Sequence, residues 1–156
     1  MIEESESAPS GLYPSPEPGA AAAGVPRQRL ALVVDDEATV GVLVARMLDA
    51  LGWHPIVTTA PEDAEALARE VDVDLLVTDF DMPGMTGIDL ATSLRRQRAS
   101  LPVVLVSGRA EAAAVRLDPP FAFAPKPFHI GSIRDALQRL EGIARRVEDG
   151  APASAG

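Results

Sequence analysis

Leu30–Val34 is an unbroken apolar run of strand length, the pattern of a strand covered on both faces. Val40, Leu43, Val44, Met47, Leu48 and Leu51 then recur at helical spacing, and Gly52 closes the helix they predict. Pro55–Thr58 predicts a second short strand. Thr59 and Glu62 stand at capping-box spacing ahead of a helical face made by Ala64, Leu67, Ala68 and Val71. A third strand is predicted over Leu75–Thr78, ending at Asp79, and Pro83, Gly84 and Gly87 mark a loop before a helix over Ile88–Arg98. Pro102–Val106 predicts a fourth strand ending at Ser107-Gly108, and a short helix near Ala110–Leu117 is stopped by Pro119-Pro120. Phe121–Ala124 predicts the fifth strand. The last helix carries Ile133, Leu137, Leu140, Ala144 and Val147 on one stripe.

Five strands alternating with five helices predict an α/β domain, with a parallel sheet joined by right-handed crossovers. In such sheets ligands bind beyond the carboxyl ends of the strands. The periodic region spans residues 29–147, and its length can bury a core without staples. Residues 1–28 carry Pro9, Pro14, Pro16, Pro18 and Pro26 among Ser, Glu, Gly and Ala, a composition expected to form a disordered tail. Residues 148–156 read in the same way. No internal repeat is present.

Charge and composition narrow the function. The 23 Asp and Glu against 14 Lys and Arg leave a formal net charge of -9, where a nucleic-acid binder usually displays a basic stripe. Arg95, Arg96 and Arg98, and later Arg139, Arg145 and Arg146, fall on amphipathic helical patterns as solvated faces. No nucleic-acid partner is therefore expected. The acidic start MIEESESAPS has no signal-peptide pattern, and Ala20–Val25 is too short to span a bilayer, so a cytoplasmic protein with no membrane partner is expected. With no cysteine, thiolate metal sites and disulfides are excluded.

Four predicted strand ends carry reactive groups: Asp35-Asp36, Asp79, Ser107 and Lys126. Parallel strands bring all of them to one sheet edge. Three carboxylates there would repel one another unless a cation neutralised them, and a hard, oxygen-seeking Mg²⁺ suits that role. An ammonium and a hydroxyl complete a site for an anion with tetrahedral oxygens. Phosphoryl transfer needs such a site, and a carboxylate can itself be the nucleophile. Each residue also has a plainer use: Asp35-Asp36 as a helix cap, Asp79 and Ser107-Gly108 as turn formers. Lys126 is held between Pro125 and Pro127, a setting compatible with a cis bond before Pro127. His54 and His129 are expected at element ends, and their spacing suggests no metal pair.

The segments VVDDE, VTDFDMPGMTG, VLVSG and PKPF, in this order, resemble the response-regulator receiver family. The resemblance implies a flavodoxin-like, doubly wound sheet of strand order 2-1-3-4-5 flanked by five helices. It implies that Asp79 accepts phosphate from a histidine kinase or a histidine phosphotransfer protein, with Mg²⁺ as cofactor. Asp36 would bind the metal directly and Asp35 through water, with Asp79 and the backbone carbonyl of Asp81 as further ligands. Ser107 and Lys126 would hold phosphoryl oxygens, and Ser107 with Phe123 would form the switch toward a downstream protein partner. The family's members are phosphoacceptor switches rather than enzymes acting on a separate substrate. Ser107 to Lys126 is about one turn shorter than the family pattern, which implies a truncated fourth helix, and LDPPFAFAPKPF is most similar to receivers of hybrid histidine kinases. A role as phosphorelay intermediary or phosphate sink is the alternative. Asp79-Phe80-Asp81 also satisfies the first part of the haloacid-dehalogenase phosphatase motif, but Pro83 stands where that motif wants Thr or Val.

Overall fold

In the computed structural model, residues 27–148 are described; the proposed tails fall almost wholly outside them. Each apolar run becomes a strand: β1 (Leu30–Val34), β2 (His54–Thr58), β3 (Leu75–Asp79), β6 (Val103–Ser107) and β7 (Phe121–Pro125). All pair in parallel in the order β2-β1-β3-β6-β7, which is the expected 2-1-3-4-5 arrangement. Two further strands, β4 (Asp81–Met82) and β5 (Met85–Thr86), form a small antiparallel ribbon in the loop after β3. Sequence periodicity did not reveal this ribbon, because two-residue strands are too short to show alternation.

Alternation along the buried strands divides the core into two layers. Ala31 and Val33 of β1 face one side, with Val77, Val104 and Val106, under α1 (Ala38–Ala50) and α4 (Ile130–Glu148). Leu32 and Val34 face the other, with Leu76 and Val103, under α2 (Pro61–Glu70) and α3 (Gly87–Leu94). Leu48 and Ile133 seal the first layer and Leu90 and Leu94 the second, all with 1% or less of their surface exposed. Burying each such side chain is worth roughly 1.5–3 kcal/mol, so the layers rather than any single contact hold the strand ends in register.

Three local expectations change. The capping box expected at Thr59 and Glu62 does not form: Pro61 takes the first helical position, making Ala60 the N-cap, and Thr59 stands one residue too early. The box forms instead at α3, where the Thr86 hydroxyl accepts from the Asp89 N–H at 3.1 Å and the Asp89 carboxylate accepts from the Thr86 N–H at 3.3 Å. The regular part of α3 ends at Leu94, and residues 95–97 continue as a turn.

Of five expected helices, four are α-helices and the short one is a 3₁₀ turn, Ala110–Ala114. Its small side chains bury only Ala112, too little apolar surface to sustain an α-helix so short. The segment returning from it is latched by Arg95, whose guanidinium donates to the carbonyls of Leu101 (3.1 Å), Asp118 (2.6 Å) and Pro120 (2.8 Å).

Candidate functional site

Asp35 follows β1 directly, and its N–H donates to the Thr58 carbonyl at 3.3 Å, so the β1–β2 ladder itself positions the residue. Its Oδ1 accepts from the Glu37 N–H at 2.9 Å, bending the chain into α1. Asp35 is buried and Asp36 exposed; the α1 N-cap is Glu37, and no side chain caps it. Asp79 is the last residue of β3 and only 8% exposed. Its carbonyl accepts from the Thr78 hydroxyl at 3.0 Å. Gly87 lies so close beneath it that an added Cβ would sit 2.3 Å from the same carbonyl oxygen. Only glycine allows that approach. Through it, the Gly87 N–H reaches the Phe80 carbonyl at 2.8 Å and folds the post-β3 loop back against the site.

Ser107 is the buried last residue of β6. Its carbonyl accepts from the Lys126 N–H at 2.8 Å, and its Oγ accepts from the Arg109 N–H at 3.0 Å, which leaves the hydroxyl proton free to donate. Lys126 follows β7, with a cis bond to Pro127. Its Nζ lies 3.2 Å from Asp79 Oδ1 and 3.4 Å from Asp35 Oδ2. The strand-end groups predicted from sequence are therefore in mutual contact or one residue apart along the same edge.

Carboxylate oxygens of Asp35, Asp36 and Asp79 all lie within 4.8 Å of one another. Burial is the main cause that lifts the Asp79 carboxyl above the ordinary aspartate range; the Lys126 hydrogen bond opposes it, and the charges of Asp35 and Asp36 add to it. Burial pushes the Lys126 ammonium down, but the combined pull of Asp35 and Asp79 outweighs it and holds the group above the usual lysine value. Three carboxylates face one ammonium, a formal charge of -2, so the cluster lacks positive charge that a dication would supply. An all-oxygen donor set fits Mg²⁺ rather than a softer metal.

Asp81 lies in β4 with its side chain outside the carboxylate cluster, exposed and ion-paired to Arg109 at 3.0 Å. Arg109 escaped sequence reasoning, because nothing in SGRAE marks an arginine as turning back 28 positions. Phe123 sits inside β7, half-buried and paired in register with Leu105, below the site rather than in it. His54 begins β2 and His129 immediately precedes α4, at element ends.

The sequence profile described as "Response regulator receiver domain" matches residues 31–138. The probable transcriptional regulatory protein TcrX of Mycobacterium tuberculosis is 34% identical over 122 residues, 74% of this chain and 50% of TcrX. Chemotaxis protein CheY-3 of Vibrio cholerae is 31% identical over 120 residues, 70% of this chain and 88% of CheY-3. The crystal structure of the receiver domain from the hybrid histidine kinase CckA superposes with a TM-score of 0.60 at 31% identity, covering 71% of this chain and 98% of that one. The match thus spans about half the length of TcrX and most of CheY-3.

Proposed function

Because this chain belongs to the response regulator receiver family, we propose that it takes a phosphoryl group from a histidine kinase onto Asp79, in a Mg²⁺-dependent reaction in the cytoplasm, and signals through protein–protein contacts. The observation that carries the reading is the Asp79 carboxylate, buried at the end of β3, bonded to Lys126 and set beside Asp35 and Asp36. A carboxylate oxygen of Asp79 attacks phosphorus, the bond to the donor's imidazole nitrogen breaks, and its electron pair leaves with the imidazole. The product is an acyl phosphate. Asp35, Asp36 and Asp79, with the Asp81 carbonyl, would hold Mg²⁺, which supplies charge neutralisation for the transferring group. Lys126, already between Asp35 and Asp79, is placed to pair with a phosphoryl oxygen. The free Ser107 hydroxyl proton serves another.

Phosphorylation should read out through Ser107 and Phe123. A Ser107 hydroxyl drawn to the phosphoryl group vacates space that Phe123, half-buried in the edge strand, enters by a rotamer change. Having no hydroxyl, Phe123 leaves no polar group unsatisfied when it moves inward.

Incubation with Mg²⁺ and acetyl phosphate should add one acid-stable, base-labile phosphoryl group by intact mass, and Asp79→Asn should abolish it, because an amide is not a nucleophile. Undiminished modification of that variant would overturn the assignment. The likeness to a hybrid-kinase receiver favours a second reading, a phosphorelay intermediary or phosphate sink. Rapid exchange of the label with a purified histidine phosphotransfer protein would select it.

A further inference from the structure

A cleft of about 910 Å³ opens beside β7, between the Ala110–Ala114 turn and α4. It exists because a 3₁₀ turn of five residues, burying only Ala112, stands where a longer helix would cover the sheet edge. Phe121, Phe123 and Ile143 line it, each half-buried, and the exposed Arg116, Arg139 and Arg146 are also in its wall. Asp135 is its single acidic residue, so the lining carries three positive charges against one negative. In a chain of net charge -9, that is a local reversal of sign. The Arg116 guanidinium reaches only the neighbouring carbonyls of Ala113 and Val115, and no carboxylate among the described residues forms an ion pair with any of the three arginines.

The chain's own N-terminal segment has the complementary chemistry. Residues 1–26 carry Glu3, Glu4, Glu6 and Glu17 and no Lys or Arg. Reach is sufficient as well. The described chain starts with Arg27 paired to Asp74, and the Arg29 guanidinium lies 3.9 Å from the Glu141 carboxylate on α4. Arg29, two residues after the first described one, therefore lies beside the helix that forms one wall of the cleft. In general, ~20 residues of coil span about 25 Å end to end, comparable with the width of a five-stranded sheet at ~4.8 Å per strand spacing.

We propose that the acidic stretch Met1–Ser10 docks in cis against this arginine-lined cleft and competes there with protein partners. Tethering supplies an effective concentration on the order of millimolar, so an attraction too weak to hold a free peptide still populates the docked state. The docking itself is independent of Asp79 chemistry. Its consequence for partners rests on the proposal that phosphorylation reads out through Phe123, which lines the cleft.

The test uses the full-length chain without a phosphoryl donor, so its failure leaves the Asp79 assignment untouched. As the chain has no cysteine, Ser5→Cys gives a unique position for a nitroxide label. Amide resonances of Arg116, Phe123 and Ile143 should lose intensity selectively. The loss should disappear in Glu3→Gln/Glu4→Gln/Glu6→Gln, and also in roughly 1 M NaCl, where the screening length falls to about 3 Å. Uniform loss, loss centred elsewhere such as the exposed Val42 and Leu43 of α1, or loss that survives the triple substitution would overturn the proposal. Selective loss in ¹⁵N chains mixed with unlabelled spin-bearing chains would show that a second copy is the occupant, and would also overturn it.

Discussion

Asp36 and Asp79 have the same side chain and different surroundings, and their substitutions should fail differently. Asp79 is buried, bonded to Lys126 and at the end of a central strand, so under the proposed function its loss removes the nucleophile. Asp36 is exposed and makes no cap to α1, so its carboxylate contributes charge to the cluster rather than support to the fold. Asp36→Ala should leave thermal stability nearly unchanged and weaken Mg²⁺ binding by at least about tenfold. Raising Mg²⁺ should restore phosphorylation to Asp36→Ala but not to Asp79→Asn. Equal Mg²⁺ affinity in Asp36→Ala and wild type by titration calorimetry would count against the role.

The edge strand β7 and the short turn before it are held by contacts that a longer helix would otherwise supply. Arg95, through the Asp118 and Pro120 carbonyls, fastens the returning segment to the end of α3, and through the Leu101 carbonyl it holds the loop before β6 as well. Arg95→Ala should destabilise the fold by about 2 kcal/mol, with a Tm lower by roughly 6–10 °C. Lysine should rescue only part of this, because one ammonium cannot span the fork. Scanning calorimetry of the two variants checks both statements. Within β7, Phe123→Ala should leave phosphate uptake nearly intact and flatten the phosphorylation-dependent change in partner affinity. Burying the ring is worth roughly 1.5–3 kcal/mol, the same scale as a typical allosteric coupling of about 1–3 kcal/mol. A full affinity change retained in Phe123→Ala would place the switch elsewhere.

At the scale of the molecule, the sheet edge opposite the site is closed by Asp74. Its carboxylate accepts from the Leu30 N–H at 2.9 Å and pairs with Arg27 and Arg98, joining the entry to β1, the entry to β3 and the end of α3. Burial, the largest influence, raises this carboxyl, but the Leu30 N–H and the two arginines outweigh it and hold the group below the ordinary aspartate value. A depressed folded-state pKa contributes stability that is present above the unfolded value and is lost as pH falls through the folded one. Asp74→Asn should therefore cost about 1–3 kcal/mol at neutral pH, and the deficit against wild type should shrink as pH falls below about 4. Urea melts of the two proteins at neutral and acid pH measure that difference; a deficit that grew in acid would reverse the sign.

Periodicity along the chain determined the five strands, the four long helices and their alternation, because burial on both faces requires continuous apolar runs and burial on one face requires a 3.6-residue repeat. Parallel strands then obliged Asp35, Asp79, Ser107 and Lys126 to share one edge. Tertiary structure alone decided what depends on distances between segments remote in sequence. Arg109 turns onto Asp81, Arg95 spans three carbonyls more than five residues away, and the capping box moves to Thr86 because Pro61 sets the start of α2. The short turn before β7 was visible as missing length, but the cleft it leaves, and the gathering of Arg116, Arg139 and Arg146 around that cleft, were not. Side chains that carry no periodic signal are placed by the packing of the elements that bear them, and that packing is settled only when the whole core closes.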